Sequence, residues 1–186
     1  TCAENRNIVL FPEKKDGTYV RLERPFHWPG FGSHIWMSRS PDLRYWGDNS
    51  LLLPFELIPF ANFKIGPAAP PVKTKWGWLT TFHAVDQVDD QDLGAWDAVW
   101  RRRYTAGIML LDLNNPAKVI GLSREPLLAP EASYETQGGY RNHVIFPGGM
   151  ILEDSGEAKI YYGAADTHEC LATAHVDDLL ALCKPV

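Results

Sequence analysis

Apolar and polar residues alternate along this chain in short runs rich in β-branched and aromatic side chains. Runs at residues 7–11, 18–22, 34–38, 78–85, 106–113, 143–146, 159–162 and 171–176 predict strands. Turn chemistry separates them at Lys15-Asp16-Gly17, Lys75-Trp76-Gly77, Asn114-Asn115-Pro116 and Asp154-Ser155-Gly156. One turn between successive strands predicts an antiparallel meander. Only two stretches read as helical: residues 91–103, short and amphipathic, and residues 176–184, a closing helix.

A looser repeat overlies these strands. Units open on an apolar stretch ending at proline, namely Val9-Leu10-Phe11-Pro12, Ala68-Ala69-Pro70-Pro71 and Val144-Ile145-Phe146-Pro147. Each third strand is followed by an Asp-Leu signature, at Pro41-Asp42-Leu43, Leu111-Asp112-Leu113 and Asp177-Asp178-Leu179. Asp42, Asp112 and Asp177 recur at intervals of 70 and 65 positions. A unit of three or four strands at such a period predicts β-propeller blades, here about 1–60, 61–127 and 128–186. Propellers typically close with about four or more blades. The expectation is therefore an all-β partial propeller with two open sheet edges, which favour a homo-oligomer or a second segment supplying further blades.

Composition narrows the function classes. The 186 residues suit one domain with a real core, and 14 prolines and 15 glycines argue against a helical bundle. A formal charge of -5 argues against a nucleic-acid partner, while a few local cations could still hold a small anion. No run approaches the ~18 apolar residues of a membrane helix, so no membrane partner is expected. Cys2, Cys170 and Cys183 are odd in number and lack metal-ligand spacing, which predicts a reduced, cytoplasmic setting. The six histidines do not pair at metal spacing, so no metal and no cofactor are expected. Gly30-Phe31-Gly32 lacks a third glycine and a following helix, and reads as a loop.

Polar residues beside strand ends remain as candidates: Arg6-Asn7, Arg24 before Pro25, Lys64 before Ile65-Gly66-Pro67, Arg103-Tyr104, and Asp166 after Tyr161-Tyr162-Gly163-Ala164-Ala165. Singly, each has an ordinary explanation as an edge charge or turn former. One of Tyr161 and Tyr162 should face the core.

Together they carry a resemblance. Arg6-Asn7-Ile8-Val9-Leu10-Phe11-Pro12-Glu13-Lys14, Arg21-Leu22-Glu23-Arg24-Pro25 and Ser40-Pro41-Asp42-Leu43-x-x-Trp46-Gly47 resemble glycoside hydrolase family 130. So do residues 64–74, Gly77-Trp78-Leu79, Leu110-Leu111-Asp112-Leu113 and residues 161–166. These are the β-mannoside phosphorylases and related mannosidases, with five-bladed propellers. The resemblance implies inorganic phosphate as co-substrate, held by Arg6, Arg24, Lys64 and Tyr104, and a mannoside contacted by Asn7, His83, Phe146 and Asp166. His83 stands in Thr81-Phe82-His83-Ala84-Val85, where Phe82 and Ala84 depart from the family's Tyr-His-Gly-Val.

The family's general acid is the Asp of an Asp-Pro-Arg motif N-terminal to the region matching Arg6, and no Asp-Pro-Arg occurs in these 186 residues. The resemblance therefore places the acid N-terminal to Thr1. The chain resembles the C-terminal three blades of a five-bladed enzyme, with no catalytic acid of its own, and alone it is expected to be inactive. The implied reaction is inverting phosphorolysis of a β-mannoside to α-mannose 1-phosphate. Residues 104–107 and 139–144 resemble the mannosyl-glucose phosphorylases more than those acting on manno-oligosaccharides. The alternatives are an inverting β-mannosidase of the same family, which the basic cluster disfavours, and a non-catalytic sugar-binding fragment.

Overall fold

A computed structural model describes residues 5–25 and 33–186, whose regular structure is mostly strands in three antiparallel sheets that follow one another along the chain. Thr1, Cys2 and Gly30-Phe31-Gly32 lie outside the described residues. The expectation of a general acid N-terminal to Thr1 falls outside them too, and the described residues do not bear on it. The first sheet runs β1 (Asn5–Leu10), β2 (Tyr19–Pro25), β3 (Ile35–Ser40) and β4 (Gly47–Leu53), in sequence order. The second contains β5 (Lys64–Pro67), β6 (Val72–Lys73), β7 (Trp78–Gln87), β8 (Arg102–Leu111) and β9 (Val119–Leu122). Here β5 and β6 both pair with β7, followed by β8 and β9. The third is β10 (Ile145–Leu152), β11 (Glu157–Ala164) and β12 (His168–His175). A one-turn helix, α1 (Ser133–Thr136), precedes it, and α2 (Val176–Leu182) closes the chain.

The Asp-Leu signature has a physical basis. Asp42 follows β3 and Asp112 follows β8, and each uses Oδ1 to accept two backbone N–H bonds, from Arg44 and Tyr45 or from Asn114 and Asn115. A carboxylate that satisfies two turn donors ends the strand and starts the next. Asp177 marks the same place after β12, in the first turn of α2.

The second sheet is covered on both faces. Trp78, Phe82, Ala84, Met109 and Leu111 meet Val20, Leu22, Ile35 and Met37 of the first sheet. On the other face, Leu79 and Ile108 meet Met150, Ala158 and Ile160, and Ala106 meets Ile145, Tyr162 and Ala164. Period-2 alternation therefore sends every second residue of β7 and β8 to a different neighbour. Of the tyrosine pair, Tyr162 is the buried one, its hydroxyl donating to Glu135 of α1 at 2.9 Å, while Tyr161 faces outward.

Three readings of the sequence need correction. Residues 91–103 form no helix: Asp92 Oδ1 accepts the N–H groups of Gly94 and Trp100, and β8 begins at Arg102. Helical periodicity lost to these side-chain bonds and to long-range backbone pairing, including Trp96 N–H donating to Tyr140 at 3.1 Å. Ala68-Ala69-Pro70-Pro71 is no strand but the link between β5 and β6. Nor does Pro147 end its strand. It sits on β10, an edge strand, at a register shift before Gly149, where its missing N–H costs little. The irregular stretches β4, β5, β6 and β9 went unread because their short runs lack clear alternation. No helix among the described residues is long and apolar enough to cross a membrane.

Candidate active site

The candidate residues gather where strand ends from all three sheets converge. Register places Lys64 and Gly66 of β5 opposite Val85 and His83 of β7, and His83 opposite Ala106 of β8. Lys64, His83, Tyr104 and Arg102 thus share the face of the second sheet that meets the third. From the first sheet, Arg6 of β1 stands directly across from Arg24 of β2, just before an irregularity in which Asn7 takes a left-handed φ of 56°. Arg24 Nη2 donates to Asn7 Oδ1 at 3.4 Å. Asn5 anchors the start of β1 by donating to Glu23, which is also ion-paired with Arg21.

A cleft of about 380 Å³ opens there, lined by Arg6, Lys64, Tyr104, Phe146 and Asp166, together with Trp100, Arg102, Arg141 and Val144. Five of the eight residues named from the sequence line it directly. Arg24 and His83 lie one layer beneath, both fully buried, and Asn7 lines an adjoining apolar groove that also touches Phe146. His83 packs 4.8 Å from the Phe146 ring and 6.0 Å from the Tyr104 ring, centroid to centroid. It supports the cleft wall from behind, with its Nδ1 buried and making no hydrogen bond among the described residues.

Charged groups are concentrated in the cleft. Burial, and then Arg24, Arg102 and Arg6, pull the Lys64 ammonium down to about 8. Burial and the neighbouring Arg24 and Lys64 hold His83 well below its ordinary value, so it is neutral at pH 7. Burial and the Arg6 charge lower Arg24 as well, against an opposing pull from Tyr104. Burial raises Tyr104, leaving its phenol a neutral hydrogen-bond donor. Burial raises Asp166, opposed by Arg141, whose Nε is 3.9 Å from its carboxylate. The cleft therefore brings the cations Arg6, Arg24, Lys64 and Arg102 together with Tyr104 and the Asp166–Arg141 pair, and Arg102 and Arg141 both lie against the Trp100 ring.

Asp166 is held by backbone strain. Ala165 and Asp166 both take left-handed φ, 50° and 52°, in the turn between β11 and β12, and His143 facing them has 59°. Non-glycine residues hold such angles only where the surroundings impose them. Here Ala165 N–H donates to Val144 O at 2.8 Å, and Arg141 N–H to Ala165 O at 3.2 Å.

Arg102, Arg141 and Trp100 were not recognised in the sequence. Arg102 was legible in principle, two residues before Tyr104 on the same strand face, but the helical reading of residues 91–103 concealed it. Arg141 reaches the cleft from a loop, and no local pattern marks it.

Known proteins resemble this chain in sequence and in fold. The chain is 36% identical to the beta-1,4-mannooligosaccharide phosphorylase of Ruminococcus albus, covering 97% of this chain and 51% of that protein. It is 33% identical to the beta-1,2-mannobiose phosphorylase of Listeria innocua, covering 95% of this chain and 46% of that one. The solved structure of the Listeria enzyme with beta-1,2-mannobiose superposes with a TM-score of 0.81 at 34% identity, over 97% of this chain and 47% of that one. The chain spans about half the length of the curated relatives it matches. A family description of beta-1,4-mannooligosaccharide phosphorylases fits residues 2–185, and the chain accordingly belongs to glycoside hydrolase family 130.

Proposed function

We infer that this chain carries the phosphate and mannosyl subsites of an inverting β-mannoside phosphorylase. The observation that carries the reading is Lys64. It lies on the cleft wall among Arg6, Arg24 and Arg102, forms no ion pair among the described residues, and is pulled down to about 8. A protein keeps cations so close together where an anion completes the site. Guanidinium forks and an ammonium point charge suit a phosphate dianion. Tyr104 adds a neutral donor beside them.

Phosphate attacks the anomeric carbon of the β-mannosyl unit, the C–O bond to the leaving sugar breaks, and α-mannose 1-phosphate forms. Inversion puts nucleophile and leaving group on opposite faces of the ring. The cation cluster holds the nucleophile and offsets its repulsion as it approaches. Asp166 accepts hydrogen bonds from sugar hydroxyls, bonds that strengthen as oxocarbenium character develops. Phe146 packs against the ring. The proton for the leaving oxygen comes from a general acid that the family resemblance places N-terminal to Thr1. The three sheets, at about 1–60, 61–127 and 128–186, are read as three blades of the propeller that surrounds this site.

Support for the alternative hydrolytic reading would require a carboxylate in place of the cations, and Asp166 is the acidic residue lining the cleft. The test is release of mannose 1-phosphate from 4-O-β-mannosyl-glucose, β-1,4-mannobiose and β-1,2-mannobiose, with and without phosphate. It is run on this chain and on the chain joined to a segment bearing Asp-Pro-Arg. Phosphate-dependent product supports the reading, and mannose released without phosphate overturns it.

A further inference from the structure

Two loops that are distant in sequence are stitched together beside the cleft. One joins β7 to β8, and the other joins α1 to β10. Ala95 pairs with Arg141 in an antiparallel bridge, Trp96 N–H donates to Tyr140 O at 3.1 Å, and Asn142 N–H donates to Gly94 O at 3.1 Å. Trp100 Nε1 adds a side-chain tie to Asn142 O at 2.9 Å. This pairing sets Asp97 beside Tyr140 and Arg141. Its Oδ2 accepts from Tyr140 Oη at 2.7 Å and from Arg141 Nη2 at 3.0 Å.

Arg141 stands between two carboxylates, and the two contacts differ. Its Nη2 is 3.0 Å from Asp97 Oδ2, whereas its Nε is 3.9 Å from Asp166 Oδ2. The first is close to the ~2.7–2.9 Å of a charge-assisted bond, and the second is far outside it. The guanidinium also lies 4.6 Å from the centre of the Trp100 ring and 5.1 Å from that of Tyr140. An arginine beside a carboxylate frequently makes two parallel bonds, which occupy both oxygens. Asp166 escapes such a fork: its side chain is 44% exposed and lines the cleft. Arg141 N–H meanwhile donates to Ala165 O at 3.2 Å, so the same residue steadies the turn that carries Asp166.

We propose that Asp97 is a positioning residue for the mannosyl site: by holding Arg141, it keeps that guanidinium near enough to Asp166 to offset its charge and too far away to capture it. The proposal rests on the reading of Asp166 as an acceptor for sugar hydroxyls. Asp97 is not among the residues lining the cleft, and it acts through Arg141. Without Asp97, Arg141 turns toward Asp166, and its donors compete with the sugar hydroxyls for the same oxygens. A ligand that carries no sugar does not feel that competition. The loops themselves stay paired, because their backbone bonds do not involve the Asp97 side chain.

The experiment is calorimetric titration of this chain with inorganic phosphate and with mannose 1-phosphate, in a double-mutant cycle of Asp97 and Arg141. Asp97→Ala should weaken mannose 1-phosphate about fivefold or more, roughly the loss of one hydrogen bond, while phosphate binds at least as tightly as before. Arg141→Gln sets a second baseline, and adding Asp97→Ala to it should change mannose 1-phosphate affinity by less than about twofold. Asp97→Glu, which can still pair with Arg141, should recover most of the wild-type affinity. Asp97→Asn keeps an acceptor for Tyr140 without the charge that binds Arg141, and it replaces Asp97→Ala in the cycle should that variant fail to fold. If the wild-type chain binds both ligands, yet the Asp97 variant leaves mannose 1-phosphate unchanged or costs the same with and without Arg141, the positioning role is wrong and the phosphorolytic reading stands. If the wild-type chain does not bind mannose 1-phosphate, the reading of the mannosyl site fails and the positioning role fails with it.

Discussion

Arg6 and Arg24 are cross-strand partners, directly opposite in the register of β1 and β2. Like charges so placed destabilise a sheet. Arg24 is fully buried, and its guanidinium is lowered by burial and by the Arg6 charge. The pair concentrates positive charge at the cleft.

Removing the outer member of that pair separates stability from binding. Arg6→Gln should weaken phosphate binding about tenfold or more, since a bond to a charged group contributes roughly 1.5–3 kcal/mol. Its melting temperature should stay level or rise slightly. Calorimetric titration and thermal melting read the two effects, and a marked drop in melting would mean that Arg6 is structural.

Lys64 gives the site a pH dependence. Its ammonium is pulled down to about 8 in the folded chain, from an ordinary 10.5, so it loses its proton as pH rises through about 8. Phosphate affinity should fall over that range, where phosphate itself remains a dianion. For stability the sign is opposite. Between about 8 and 10.5 the unfolded chain holds the proton and the folded chain does not, so this group's contribution to stability rises with pH. Lys64→Met should accordingly abolish the pH dependence of binding, bind phosphate weakly throughout, and melt higher near neutral pH. A wild-type affinity that is flat across this window would contradict the environment assigned to Lys64.

Gly66 makes room for the layer beneath the cleft. A Cβ there would stand 2.3 Å from His83 Cε1 and 3.1 Å from Arg24 Nε, and the imidazole is walled in by Tyr104 and Phe146. Gly66→Ala should therefore destabilise the chain by about 1–3 kcal/mol, the usual cost of overpacking, and also reduce phosphate affinity by displacing Arg24. Gly148→Ala has nothing within 4 Å of the added carbon and serves as the control. Denaturant unfolding distinguishes them, and equal midpoints would show that the His83 layer is loose.

Asp166 should act on sugar and not on phosphate. Asp166→Asn keeps the size of the side chain but removes its charge, and mannose 1-phosphate affinity should fall roughly tenfold while inorganic phosphate binds as before. Gly139→Ala should mimic it indirectly, because the added carbon would meet Ala165 Cβ at 2.4 Å and Ala165 O at 2.5 Å. That contact would move the strained turn carrying Asp166. Equal losses for both ligands in Asp166→Asn would place its carboxylate in the phosphate site.

What the sequence determined by itself is the part governed by local rules. Alternation marked most of the longer strands, Asp-Gly and Ser-Gly turns marked hairpins, and Asp42 and Asp112 marked the ends of β3 and β8, since a carboxylate capping its own turn acts within a few residues. Matches to family 130 strings brought out Arg6, Lys64, Tyr104, Phe146 and Asp166, all of which line one cleft. Tertiary structure alone decided the rest. Residues 91–103 have helical periodicity, yet their backbone finds partners about 40 residues away at Tyr140 and Asn142, contacts that outweigh a weak local preference. Arg141 enters the cleft only because that pairing carries its loop there. His83 sits behind the wall, and not on it, because Tyr104 and Phe146 cover it from other strands. Which side chains reach the same few ångströms depends on how three sheets stack, and no local pattern encodes that.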